Sequence, residues 1–172
     1  MNATEQLVEL YYRFHKRCFT VTDVKVPNGN NRQLDLLAYC LNPKRAYHVE
    51  VSVTIIPRYQ PNPISITAKL RRKFLTNPQA RMNDAYASFN LELNSVERVF
   101  CCWENLNPAT NEALQAFNQN AGFQVTILSF RDEVLPALTR FVGTANYEDD
   151  LLRTLSLIKQ WHLQDLQANL RL

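Results

Sequence analysis

Glycine is scarce: Gly29, Gly122 and Gly143 are the only three in 172 residues. Phosphate-binding loops of the P-loop and dinucleotide types need several closely spaced glycines, so both classes are excluded. No apolar run approaches the roughly 20 residues of a membrane span. The polar start Met1-Asn2-Ala3-Thr4-Glu5-Gln6 lacks a basic-then-apolar signal pattern. The expectation is a soluble, cytoplasmic protein with no membrane partner. The four cysteines, Cys18, Cys40, Cys101 and Cys102, form no C-x-x-C and have no histidine at zinc-site spacing. Reduced thiols and no structural zinc are expected, with Cys101-Cys102 as two small buried residues of a strand. The net charge is only +3. It neither requires nor excludes a nucleic-acid partner, so local clustering has to decide.

What is present is a pattern of short periodic segments. Asn2 and Glu5 make a capping box for a helix over 3–17, with Leu7, Leu10, Tyr11 and Phe14 at helical spacing. Phe19 to Val26 is rich in β-branched residues and predicts a strand. The turn signal Pro27-Asn28-Gly29-Asn30-Asn31 separates it from a strand over Gln33–Tyr39, and Leu41-Asn42-Pro43-Lys44 turns into one over Tyr47–Val53. Residues 19–54 therefore predict a three-stranded antiparallel meander. Three prolines, Pro57, Pro61 and Pro63, make the next stretch a loop. Helices over 64–75 and 79–89 follow, divided by Asn77-Pro78. Val96 to Trp103 is a near-continuous apolar run and predicts a buried strand. A helix opening at Asn107-Pro108, a strand over 123–128 and a helix over 131–141 suggest one parallel βαβ crossover.

The expected fold is α/β, a mixed central sheet of about five strands flanked by helices. It forms one domain over 1–143. Residues 144–172 add an amphipathic helix, with Glu148, Asp149 and Asp150 near its start and Leu151, Leu152, Leu155, Ile158, Trp161 and Leu166 as its stripe. That helix packs on the domain or on a partner, and a homodimer or larger complex through it is one hypothesis.

Two acids stand out. Asp35 lies within Leu34-Asp35-Leu36-Leu37 and Glu50 within His48-Val49-Glu50-Val51, each a lone carboxylate in an apolar strand. Such a group costs several kcal/mol unless paired, and a divalent metal is one such partner. Two carboxylates at neighbouring strand ends suit Mg²⁺ or Mn²⁺, which keep waters for phosphate oxygens. The alternative is two exposed acids on an open sheet face. Lys69, Arg71, Arg72 and Lys73 place four positive charges in five residues. With Arg58 and Tyr59 in the preceding loop, they make either a nucleic-acid surface or a solvated face. Arg13, Lys16 and Arg17 could extend it. His48 is read as lying on the face opposite Glu50, packed or exposed. Ser52 has no nucleophile-elbow context for a hydrolase triad.

This order, with an acid in the second strand and another in the third, resembles the core of the PD-(D/E)XK nuclease superfamily, the restriction-endonuclease-like fold. The likeness covers residues 3–130 and rests on Asp35 and Glu50. It implies metal-dependent hydrolysis of DNA phosphodiester bonds, with Asp35, Glu50 and the Val51 carbonyl as metal ligands and Glu9 or Glu5 completing the acid set. The family places a lysine two residues after the second acid, where this chain has Ser52. Serine can orient a water but carries no positive charge. In some relatives the lysine's role migrates to the next helix, where Lys69 and Lys73 lie four apart on one face. Lys69 is preferred as nearer the loop. The competing reading is an inactive nuclease fold that binds nucleic acid or a protein partner.

Overall fold

The computed structural model describes residues 2–27, 33–54, 62–77 and 79–169, with side chains described to residue 163. Helix α1 (Ala3–Leu10) starts on the expected capping box: the Asn2 side chain accepts from the Thr4 and Glu5 amides, and Glu5 accepts from the Asn2 amide. It runs on as a π-helical turn over Tyr11–His15. Strands β1 (Cys18–Lys25), β2 (Gln33–Leu41) and β3 (Lys44–Val51) form the antiparallel meander. Helix α2 (Pro63–Leu70) continues through a π-helical turn, Arg71–Leu75, and α3 (Gln79–Ala87) follows. Then come β4 (Val96–Cys102), α4 (Pro108–Ala121), β5 (Val125–Ser129), a π-helical turn at Phe130–Val134 leading into α5 (Leu135–Phe141), and α6 (Asp150–Asn169). Gly122 ends α4 with φ of 73°, a left-handed conformation that glycine adopts at little cost.

The sheet order is β1-β2-β3-β4-β5. Besides the expected β4–β5 crossover, β3 also pairs parallel with β4, so the connection through α2 and α3 is a second crossover. Strand alternation sorts the side chains. Leu36, Ala38, Val49, Val51, Val99 and Cys101 face α1, α5 and α6. Phe100 and Cys102 face α2 and α4 through Ile66, Leu70, Phe74, Leu114 and Phe117. Leu37 and Ala46 meet α3 through Met82, Ala85 and Tyr86. The sheet is thus covered on both faces, as a mixed sheet with parallel strands requires.

The start of α6 belongs to this domain. Leu152 is in the core, Ser156 Oγ donates to the Gly143 carbonyl at 2.6 Å, and Lys159 Nζ donates to the Val142 carbonyl at 2.7 Å. One expectation fails here. Cys18 and Cys40 are directly opposed in the β1–β2 register and form a disulfide, so two of the four thiols are not free. Their 22-residue separation has no motif to give it away, and only the strand register brings them together. Cys101 and Cys102 are free and buried, as expected. No helix is long and apolar enough to cross a membrane among the described residues.

Candidate active site

The β2–β3 register pairs Leu36 with Val49, and the next step sets Asp35 opposite Glu50. Both side chains lie on the α2–α3 face. The ladder ends there: the Val51 amide donates instead to Asp35 Oδ2 at 2.7 Å. The two strands part around the two acids.

Lys73 fills the fork. Its Nζ donates to Asp35 Oδ2 at 2.7 Å and lies 2.8 Å from Glu50 Oε2. The helix geometry explains why this lysine arrives. Ile66, Leu70 and Phe74 are spaced by four and anchor one stripe of α2 and its π-helical extension on the sheet. Lys73 sits beside Phe74, at the level of the acids. Lys69 is one turn earlier and lines a small recess with Ser52, Cys102 and Glu104. The preference for Lys69 is therefore corrected: of the two lysines, Lys73 reaches the carboxylates.

Glu50 is held from its other side as well. It is 2% exposed, and its Oε1 accepts from His48 Nε2 at 2.9 Å. The other ring nitrogen, Nδ1, is 2.7 Å from the Tyr86 hydroxyl, a phenol whose pKa burial pushes up to about 12 against the opposing pull of the Arg98 guanidinium. Arg98 in turn stacks over the Phe123 ring at 4.1 Å. A continuous polar chain thus runs from Lys73 through Glu50 and His48 to Tyr86. His48 thus shares the face of Glu50 and does not lie on the opposite one. Residues two apart on a strand share a face, and His48 is fully buried against the acid. That parity was the signal available in the sequence. Tyr86, 36 residues beyond Glu50, offered none.

The electrostatics of the two acids differ. Burial and the neighbouring Glu50 charge raise Asp35 to about 6, against the lowering effects of Lys73 and the Val51 amide. Burial also pushes Glu50 up, but the His48 hydrogen bond and the positive charge around it, Lys73 included, outweigh burial and leave it low. Burial disfavours the Lys73 ammonium, yet Glu50 and Asp35 together hold its pKa above the ordinary value. The pair therefore shares one firmly ionised acid, one readily protonated acid and a fixed cation.

Other expected residues lie elsewhere. Glu9 is on the opposite side of the sheet, where it accepts from Thr20 Oγ1 at 2.9 Å, and Glu5 is engaged in the cap of α1. Neither completes the acid set. Ser52 follows β3, its amide donating to the Cys101 carbonyl at 2.8 Å. Val51 meets the site through its amide. Arg72 lines the same cavity as the acids, whereas Arg71 faces a surface hollow between α2 and α4. Arg58 and Tyr59 lie outside the described residues, as does the Leu166 side chain.

The cavity over the fork has a volume of about 310 Å³ and is lined by Gln33, Leu34, Asp35, Glu50, Arg72, Lys73 and Asn77. Among the described residues, no group of three or more His, Cys, Asp or Glu side chains is placed to hold a metal. The donor set for a cation is thus two carboxylates, which suits an ion that retains most of its waters. Asp35 Oδ1 has no partner among the described residues. Comparison with protein-family models, with curated proteins and with solved structures found no match.

Proposed function

We propose that the chain is a metal-dependent nuclease that hydrolyses DNA phosphodiester bonds at the β2–β3 fork. The observation that carries this reading is the convergence of Asp35, Glu50 and Lys73: two acids on adjacent strands and one ammonium within 2.8 Å of both. The order of strands and the placement of the acids on the second and third of them support it. So does the lysine, which meets the acids from the π-helical extension of α2 although Ser52 stands where the resembling family has it.

Asp35 and Glu50 would hold Mg²⁺ or Mn²⁺ as a site of two hard oxygen donors. When bound, such an ion lowers the pKa of a coordinated water and neutralises charge developing on phosphate oxygens. The residues of the chain do the rest. The buried Tyr86–His48 pair fixes the Glu50 carboxylate, and the His48 hydrogen bond helps to keep it ionised. Lys73 supplies a permanent positive charge where the reacting phosphate would lie. Arg72 extends positive charge along the cavity wall.

The test is cleavage of DNA in Mg²⁺ or Mn²⁺ by the wild type and by Asp35→Ala and Glu50→Ala. Loss of cleavage in both variants supports the reading, and unaltered cleavage in both contradicts it. One observation favours a second reading, an inactive fold that binds nucleic acid: Lys73 already pairs with both acids, in the place a cation would occupy. Calorimetry separates the two, because saturable Mn²⁺ binding belongs to the first.

A further inference from the structure

Asn77 is the one residue of the cavity wall that is deeply buried, polar and unpaired. It is 8% exposed and lies just beyond the π-helical extension of α2. Among the described residues its side-chain amide has no hydrogen-bond partner. Nor is it sealed in protein, since no fully buried side-chain nitrogen or oxygen among the described residues lacks a partner. Its polar atoms therefore keep some contact with solvent, and the cavity is an opening that the residue lines. An amide in that position loses solvation and recovers it only through a ligand or a trapped water.

The charges of the cavity indicate which ligand. Asp35 and Glu50 are offset by Lys73 and Arg72, so the four formal charges cancel. A divalent cation on the acids would leave the cavity at +2 and receptive to an anion. Such an anion brings only acceptor oxygens, and the side of Asn77 that can serve them is its NH₂.

We propose that Asn77 is a substrate-binding residue whose side-chain amide donates to a non-bridging oxygen of the nucleic-acid phosphate held over Asp35 and Glu50. This assignment rests on the nuclease reading above and adds the contact that orients the phosphodiester. Lys73 and Arg72 supply charge, which attracts phosphate from many directions. Asn77 supplies a directed hydrogen bond from a buried position, and so fixes how the phosphate sits.

The experiment measures binding of a fluorescein-labelled single-stranded deoxyoligonucleotide in Ca²⁺ by anisotropy, for the wild type, Asn77→Ala and the nearly isosteric Asn77→Asp. Mn²⁺ affinity by calorimetry and thermal melting are followed in parallel. A hydrogen bond to a charged oxygen predicts a loss of about tenfold or more in oligonucleotide affinity for Asn77→Ala. Asn77→Asp loses more, because a carboxylate repels the phosphate, while Mn²⁺ affinity of the Ala variant stays at the wild-type value. Unchanged oligonucleotide binding in Asn77→Ala overturns the assignment. So does wild-type affinity in Asn77→Asp, which would make the residue an acceptor. An equal loss of Mn²⁺ affinity in Asn77→Ala also overturns it, by placing the amide in the water shell of the cation. Should Asn77→Ala fail to fold, the Asp variant alone decides. A wild type that binds no oligonucleotide overturns the nuclease reading and this assignment together, whereas a binding wild type with unaffected variants removes only Asn77.

Discussion

The protein contains two clusters of the same composition, one cation between two carboxylates. In the β2–β3 fork, Lys73 sits between Asp35 and Glu50, with side-chain exposures of 19%, 16% and 3%. Just beyond the C-terminal ends of β4 and β5, Arg131 sits between Glu104 and Asp132, both at 2.8 Å, with exposures of 50%, 23% and 35%. Distances barely separate the two. Solvent does. The Arg131 cluster lowers Asp132 mainly through the Arg131 hydrogen bond, the ordinary result of a surface pair. In the fork, burial drives Asp35 the other way, up to about 6. A partly buried carboxylate poised near neutrality can exchange a proton for a metal, whereas an exposed pair has no such tension.

Substitution should separate the clusters by size of effect. The largest effect falls on chemistry: Asp35→Ala and Glu50→Ala reduce Mn²⁺-dependent DNA cleavage to background in a gel assay. Next is Lys73→Met, which strands the buried Glu50 and the partly buried Asp35 carboxylates and costs about 3 kcal/mol of stability in urea unfolding without metal. Added Mn²⁺ should restore part of that loss, because the ion takes over the neutralising role. Tyr86→Phe removes the hydroxyl on His48 Nδ1 and leaves that buried nitrogen without a partner, at a cost of about 1–2 kcal/mol by the same measurement. Arg131→Met, by contrast, should change stability by less than about 1 kcal/mol. A loss there as large as that of Lys73→Met would erase the distinction drawn between the clusters.

The pH dependence sharpens the comparison further. Asp35 in the folded state holds its proton up to about 6, above the ordinary value of 3.8. Between those values the folded protein binds more protons than the unfolded chain, so stability from this group is complete below that window and lost as pH rises through 6. Glu50, held low, contributes with the opposite sign: its stabilisation is present above its ordinary value of 4.5 and lost as pH falls. Asp35→Asn should therefore flatten the fall in stability between pH 4 and 6, read from denaturation midpoints. The same variant is expected to remove the rise in Mn²⁺ affinity through about pH 6 that deprotonation of Asp35 gives the wild type.

The acids were legible because isolation is itself a signal: a lone carboxylate in an apolar strand requires a partner. The meander and the α/β order followed from turn residues and period. What local sequence does not encode is which helix turn meets which strand end. Lys69 and Lys73 share a face, and the anchoring stripe Ile66, Leu70 and Phe74 decides that the second reaches the fork. Glu9 was misplaced for the same reason, since the apolar stripe of α1 packs on the Val49–Val51 side. Strand parity alone puts His48 on the face of Glu50, against the expectation that it lies opposite. Tyr86 and Asn77 come from α3 and the end of the π-helical extension, through tertiary contacts that no short motif records.

The central claim is that Asp35 and Glu50 form one metal site gated by Lys73. Titration calorimetry with Mn²⁺ at pH 7 tests it most directly on the wild type, Asp35→Ala and Lys73→Met. The expected result is one saturable site in the wild type, none in Asp35→Ala, and tighter binding in Lys73→Met, where no ammonium competes for the two carboxylates. No heat of binding in the wild type and in Lys73→Met, or equal binding in the wild type and Asp35→Ala, would contradict it.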